Sequence, residues 1–235
     1  MSHDNKFLDQ SNLIEQAKQN EKIHKLNHAL YKAVQTNDRL SMAKYIEQGA
    51  TLHLLESDQV HPYNDDDNSL LHIAVKNNNV EIARYLLSLG APVDARNRRK
   101  QTSFHHAVYN GNLEIMDLLL KAGADIEAKE DYDDTAVAWA AYVNELEALK
   151  FLVEHGARIN ILNRDDYSPL HWACYKGHTD IVKYLVEHGA DLQIKNNAGD
   201  TPLISAIENG HTQTVLYLVE IEKQHAVENA QKNKG

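Results

Sequence analysis

The sequence predicts an all-α chain that folds as a solenoid of stacked helix-turn-helix units with short hairpin loops. A segment that begins with Ser or Thr recurs every 33 residues, a Gly-Ala pair recurs with the same period, and apolar residues between them follow helical spacing. The 235 residues include only 10 Gly and 4 Pro, too few for the many tight turns of an all-β fold.

The recurring segment occupies 69–74, 102–107, 135–140, 168–173 and 201–206. The Gly-Ala pair follows at Gly90, Gly123, Gly156 and Gly189. An earlier pair at Gly49 places one more unit before this array, with an eight-residue insertion near 51–67. A period of this length indicates a repeat architecture, in which neighbouring units share one elongated core.

The segment Ser-Pro-Leu-His-Trp-Ala at 168–173 resembles the Thr-Pro-Leu-His-x-Ala signature of the ankyrin repeat. The resemblance covers about 26–222 and implies an ankyrin-repeat solenoid of about six repeats. The other copies depart from the signature locally. The proline of the signature is present only in the last two copies, as Pro169 and Pro202, and Ala138 and Ile204 replace its histidine.

Each repeat contains two helices that the residue pattern defines. In the copy that begins at Thr102, Phe104 and Ala107 mark the apolar stripe of the first helix, and 113–120 supplies that of the second. Ser or Thr is expected to cap the first helix, and His72, His105 and His171 are expected to bond to neighbouring backbone. A residue that tolerates a left-handed backbone joins the helices in all six units: Asn37, Asn78, Gly111, Asn144, Gly177 and Gly210.

The repeats divide the chain into three predicted parts. Residues 1–25 form an N-terminal helical cap or arm, 26–222 form the repeat domain, and 223–235 form a polar C-terminal tail. The insertion near 51–67 is expected to be a solvated loop, because its acidic stretch lacks the Gly and distal Glu of a calcium-binding loop.

Composition and motifs exclude several classes of function. The net charge of −10 disfavours nucleic acid as a partner, and the absence of a long apolar run or a secretory signal predicts a cytoplasmic protein without a membrane span. The single cysteine, Cys174, is expected to be buried and inert. Since no catalytic motif is present, we expect a non-enzymatic protein with no catalytic residue, no metal and no cofactor.

The resemblance implies that partner proteins bind the concave face formed by the first helices and the hairpin tips. Two positions three residues apart on these helices carry an aromatic ladder that is confined to the central repeats. The alternative for its tryptophans is packing alone. The predicted partner-binding residues are His106, Tyr109, Trp139, Tyr142, Trp172 and Tyr175 on the helices, with Arg98, Arg99, Asp131, Tyr132, Asp134, Asp165 and Tyr167 at the tips.

These residues predict a monomeric adaptor or scaffold that binds a protein segment with apolar anchors and Lys or Arg groups. One alternative is a secreted bacterial effector that binds a host protein in the host cytoplasm. Another alternative, from a different class, is an enzyme with an unrecognised site. The resemblance also implies that Asn160 is a candidate for asparaginyl hydroxylation, since Asn occupies that place in one repeat only. The simpler interpretation of Asn160 is a hairpin-forming residue.

Overall fold

A computed structural model describes residues 4–52 and 67–232 of the chain. This part of the chain contains twelve helices and no strand, which confirms the predicted all-α class. The helices form six consecutive pairs. Their bounds are α1 Asp4–Gln35, α2 Arg39–Glu47, α3 Leu70–Lys76, α4 Val80–Ser88, α5 Ser103–Tyr109, α6 Leu113–Lys121, α7 Ala136–Val143, α8 Leu146–Glu154, α9 Pro169–Lys176, α10 Thr179–Glu187, α11 Pro202–Glu208 and α12 Thr212–Lys232.

The chain divides into two compact units, Met1–Arg98 and Arg99–Gly235. In the first unit, α1 packs against α2 and α3, and α3 packs against α4. Leu30, Met42, Leu71 and Leu86 are fully buried between these helices. Apolar side chains at helical spacing thus form the core of this unit.

In the second unit, the first helices of successive pairs stack in the order α5, α7, α9 and α11. Ala107, Ala140, Ala173 and Ala206 have no exposed surface on these inner helices. A methyl side chain lets neighbouring helices approach closely. The second helices α6, α8, α10 and α12 also contact one another in order and cover the other side of the core.

The turn between the two helices of each pair has the backbone conformation that the sequence predicts. All six predicted Asn or Gly residues have a positive φ, between 58° and 74°. At Gly177 a side chain would also collide with the ring of His211, whose Nε2 bonds to the carbonyl oxygen of Tyr175 at 2.9 Å. Glycine therefore suits the left-handed backbone at this turn and also avoids the collision that any side chain would cause.

Buried histidines tie the helix starts to the backbone, as predicted. The N–H of Ser168 donates to His171 Nδ1 at 3.1 Å, and His171 Nε2–H donates to the carbonyl oxygen of Asp200 at 3.0 Å. Burial lowers the pKa of His171 and keeps the ring neutral, as this pair of bonds requires. His72 and His105 accept the equivalent backbone bond at 3.1 Å.

Most of the predicted helix caps form, but the cap at α7 is missing. Ser168 and Thr201 accept a backbone N–H at the starts of α9 and α11. Thr135 stands at the same position before α7 but forms no capping hydrogen bond. Its hydroxyl is buried and has no hydrogen-bond partner among the described residues.

The predicted domain bounds fall inside helices. α1 continues from Asp4 to Gln35 across the bound at 25/26, and α12 continues to Lys232 across the bound at 222/223. Most of the predicted insertion, 53–66, lies outside the described residues. The two bounds and the insertion stay predictions. Within the described part of the chain, no helix is long and apolar enough to cross a membrane.

Replacement of His171 by Ala should lower the free energy of unfolding by about 2–4 kcal/mol, because one buried and one partly buried hydrogen bond and a filled volume are lost. Ile204→Ala is the matched control, since Ile204 holds the equivalent position in α11 and is 36% exposed. Urea unfolding followed by circular dichroism measures both variants. Equal losses in the two variants would show that the histidine bonds contribute nothing.

Candidate functional site

A cavity of about 400 Å³ lies on the inner helices of the second unit. Its walls come from helices α5, α7 and α9 and from the three hairpin tips that precede these helices. Aromatic and acidic side chains provide most of the functional groups. The lining residues are Arg99, Gln101, Tyr109, Glu130, Tyr132, Asp134, Ala138, Trp139, Tyr142, Val143, Asn163, Asp165 and Trp172.

The aromatic ladder, which consists of Tyr109, Trp139, Tyr142, Trp172 and Tyr175, runs across three inner helices. Rings on adjacent helices meet edge to face: Tyr109 and Trp139 are 6.1 Å apart between ring centroids, and Tyr142 and Trp172 are 5.3 Å apart. The tyrosines are 55%, 42% and 39% exposed in chain order, whereas both indoles are half-buried. The indoles therefore contribute to packing, and the tyrosines face solvent.

The orientation of Trp172 is defined by contacts on several sides. Its Nε1–H donates to Asp134 Oδ1 at 3.0 Å. Its ring stacks on Tyr167 with centroids 4.9 Å apart and meets the edge of Tyr175 at 6.0 Å. Since each contact comes from a different direction, the indole is held in one position beside the cavity.

Asp134 is the most perturbed carboxyl group of the cavity. Oδ1 accepts hydrogen bonds from Trp172 Nε1 and from Asn163 Nδ2, both at 3.0 Å. Burial raises the pKa of Asp134 to about 6. The nearby charges of Glu130 and Asp165 also raise it, whereas the two hydrogen bonds lower it. The carboxylate is thus mostly charged at neutral pH and protonated in mild acid.

Glu130 is a second carboxyl group of the cavity and is more fully buried, at 5% exposed. Its Oε1 accepts the backbone N–H of Tyr132 at 2.6 Å and that of Asp134 at 3.3 Å. Burial raises its pKa despite these bonds. In the next two tips Asn163 and Asn196 hold the turn with an amide oxygen in the same way. Glu130 therefore adds an acid where the neighbouring repeats have a neutral amide.

The charged residues at the outer edge of the tips are paired with one another. Lys100 Nζ lies 3.2 Å from Asp131 Oδ1, and Arg164 Nε lies 4.0 Å from Asp133 Oδ2. A guanidinium nitrogen of Arg164 also donates to the carbonyl oxygen of Asp131. These exposed pairs contribute little stability, but they hold the cationic groups of Lys100 and Arg164 against acids that lie outside the cavity lining.

The structure brings together eight of the predicted partner-binding residues as cavity lining: Arg99, Tyr109, Tyr132, Asp134, Trp139, Tyr142, Asp165 and Trp172. Four others of the second unit lie outside the lining: His106, Asp131, Tyr167 and Tyr175. Arg98 belongs to the first unit, where its Nε bonds to Asp67 Oδ2 at 3.4 Å.

Sequence reasoning missed five lining residues: Gln101, Glu130, Ala138, Val143 and Asn163. For Glu130 a signal existed, since it stands where the other repeats have Asn97, Asn163 and Asn196. Asn160, the hydroxylation candidate, binds its neighbouring hairpin through both side-chain atoms, from Nδ2 to the carbonyl oxygen of Gly189 and from the N–H of Asp191 to Oδ1, each at 3.1 Å. Its hydroxylation stays a prediction.

Cys174 is fully buried, and its environment raises the pKa of the thiol, as expected for an inert cysteine. In residues 4–52 and 67–232, no three His, Cys, Asp or Glu side chains are grouped so that they could hold a metal ion.

Replacement of Trp172 by Phe should lower the free energy of unfolding at pH 7.5 by about 1.5–3 kcal/mol, because a partly buried carboxylate loses a donor. Trp139→Phe is the control, since Trp139 Nε1 donates to none of the described residues and the loss of ring area is the same. Denaturant unfolding compares the two. A difference below about 0.5 kcal/mol would contradict an important role for the indole–carboxylate bond.

The effect of replacing Asp134 by Asn on the free energy of unfolding should be more favourable at pH 7.5 than at pH 4, by up to about 3 kcal/mol. The raised pKa of Asp134 means that between pH 4 and 6 the folded state holds a proton that the unfolded state has lost, so wild-type stability from this group falls as pH rises. The amide keeps an oxygen acceptor and does not titrate. The difference in melting temperature between variant and wild type, measured from pH 4 to 7.5, should grow with pH. The titration of His171 cancels from this difference, because both proteins contain it. A difference that is constant with pH would contradict the perturbed carboxyl group.

The comparisons with known proteins agree with this architecture. A family model described as ankyrin repeats in three copies matches residues 30–130 and 137–233. No curated protein matches the chain. The matched segments cover most of the residues and include the helices that line the cavity. The chain therefore belongs to the ankyrin repeat family.

Proposed function

We propose that this chain is a non-enzymatic adaptor or scaffold whose aromatic ladder and adjoining cavity bind a partner protein. Ankyrin repeats are generally protein–protein interaction modules. The observation that carries the proposal is the row of half-exposed tyrosines Tyr109, Tyr142 and Tyr175 on the inner helices, of which the first two line the cavity. Tyrosine and tryptophan are enriched among the residues that dominate binding energy in protein interfaces.

The ring contacts support this role because they reduce the entropy lost on binding. Tyr142 meets Trp172 edge to face, and Trp172 is itself held by a hydrogen bond and by Tyr167. A partner would therefore meet aromatic groups that are already ordered, which lowers the cost of association. The acidic lining favours a partner segment that combines apolar anchors with Lys or Arg groups.

The proposal extends to a monomer that acts in the cytoplasm, with residues 1–25 as a helical cap or arm of the repeat domain and 223–235 as its polar tail. A secreted effector that meets its partner in a host cytoplasm would use the same face. His106, Asp131 and Tyr167 lie within three residues of a lining residue in the sequence. We propose that they contact the partner at the edge of the cavity.

Replacement of Tyr142 and Tyr175 together by Ala should reduce partner capture at least about tenfold, because two exposed anchors are removed. Trp172 is left intact in this variant, since its loss would also disturb Asp134. Quantitative mass spectrometry of proteins recovered from a lysate by the immobilised chain, after photo-crosslinking, measures capture.

Tyr184→Ala is the matched control for this experiment. Tyr184 lies on the outer helix α10, where its ring stacks on His188 with centroids 3.9 Å apart. Partners bound by the aromatic ladder are lost from the double variant and kept by the control. A well-folded double variant that recovers the same proteins as wild type would exclude the ladder as the binding site.

A further inference from the structure

The cavity has an excess of negative charge. Three carboxyl groups line it, from Glu130, Asp134 and Asp165, against one guanidinium, from Arg99. The cations of the neighbouring tips, Lys100 and Arg164, are engaged with acids outside the lining. Partial burial strengthens the field of these carboxylates, because less water screens them. A cationic group of a ligand is therefore attracted to the cavity.

The walls of the cavity suit a cation on an apolar stem. Ala138 and Val143 provide aliphatic surface, and the rings of Trp139 and Tyr142 provide aromatic surface. Aromatic faces attract ammonium groups within about 6 Å. One such contact exists within the chain: Lys176 Nζ lies 4.3 Å from the ring centroid of Tyr142 and 5.5 Å from that of Tyr175. Rings of the ladder thus already hold an ammonium group.

Asp134 offers one oxygen to a ligand. Both hydrogen bonds that it accepts from the described residues go to Oδ1, from Trp172 and Asn163. Oδ2 accepts none of the hydrogen bonds formed by this part of the chain. The carboxylate is largely desolvated, so its charged form is costly, and a cation at Oδ2 would offset that cost.

A single oxygen distinguishes between the two cationic side chains of a protein partner. Arginine binds carboxylates best through two parallel bonds, one to each oxygen, whereas the lysine ammonium acts as a compact point charge. Since Trp172 and Asn163 occupy Oδ1, the paired geometry is blocked and the point charge is accommodated.

We infer that the cavity is a lysine-binding pocket, which takes one lysine side chain of a partner segment with its ammonium at Asp134 and its stem against Ala138, Val143 and the rings of Trp139 and Tyr142. This inference rests on the proposed function, since it specifies which side chain the aromatic ladder and cavity recognise. Glu130 and Asp165 add to the negative field, and Asn163 and Trp172 keep Asp134 oriented toward the ligand.

The two tryptophans of the chain both line the pocket, so tryptophan fluorescence reports on its occupancy directly. The probes are three peptides, acetyl-Ala-Leu-X-Leu-Ala-amide, in which X is lysine, its neutral isostere norleucine, or arginine. The lysine peptide is expected to bind the full chain about tenfold more tightly than the norleucine peptide, and more tightly than the arginine peptide.

Asp134→Asn is expected to weaken binding of the lysine peptide about five- to tenfold and to leave the norleucine peptide unaffected. The expected stability gain of this variant at neutral pH separates loss of binding from loss of folding. Asp180→Asn, which makes the same change of charge on the exposed start of α10, is the matched control and should bind as wild type does.

Equal affinities for the lysine and norleucine peptides, tighter binding of arginine, or undiminished binding by Asp134→Asn would each overturn the lysine pocket. No saturable fluorescence change with the lysine peptide up to about 1 mM would overturn it as well. In all of these cases the proposed function is judged separately, by partner capture with the Tyr142 and Tyr175 double variant. If the double variant loses capture but the peptides show no preference for lysine, the interaction face is retained and the lysine pocket is rejected.

Discussion

A pair of short helices cannot bury its own apolar face, and this constraint underlies the stacking of the repeats. The alanines at 107, 140, 173 and 206 on the inner helices have no exposed surface, because the neighbouring helices approach them closely. Close approach brings polar groups of consecutive repeats within hydrogen-bonding distance, as the bond from His171 to Asp200 and that from Asn163 to Asp134 demonstrate. The polar network at the tips is therefore a consequence of how the helices pack.

The candidate site arises where the repeats differ from one another. Asn163 and Asn196 hold their tips with a neutral amide, whereas Glu130 makes the equivalent bonds with a carboxylate. The inner helices likewise carry Trp139 and Trp172 at a position where the last repeat has Ser205. Shared positions build the fold and variable positions build the surface. This division allows a repeat protein to change its binding properties without a change of architecture.

In the proposed lysine pocket, Asp134 connects stability to binding. Its partly buried carboxylate accepts two hydrogen bonds, yet burial still raises its pKa toward neutral. A group that served the fold alone would be better as an amide, since an amide accepts the same bonds without the cost of a desolvated charge. The cost is consistent with a carboxylate that is completed by a ligand, and functional sites commonly contain such perturbed groups.

The sequence by itself determined the period, the helix pairs, the left-handed turns and the register that places Tyr109, Tyr142 and Tyr175 on one face, because these depend on local backbone preference and on spacing along the chain. Only the tertiary structure decided which tip acids are buried and which are paired. In the sequence Asp131 and Asp134 are neighbouring acids of one loop, but Asp131 meets Lys100 while Asp134 meets Trp172. Their partners come from adjacent repeats, so burial, hydrogen bonding and pKa are set by packing between units and not by the local sequence.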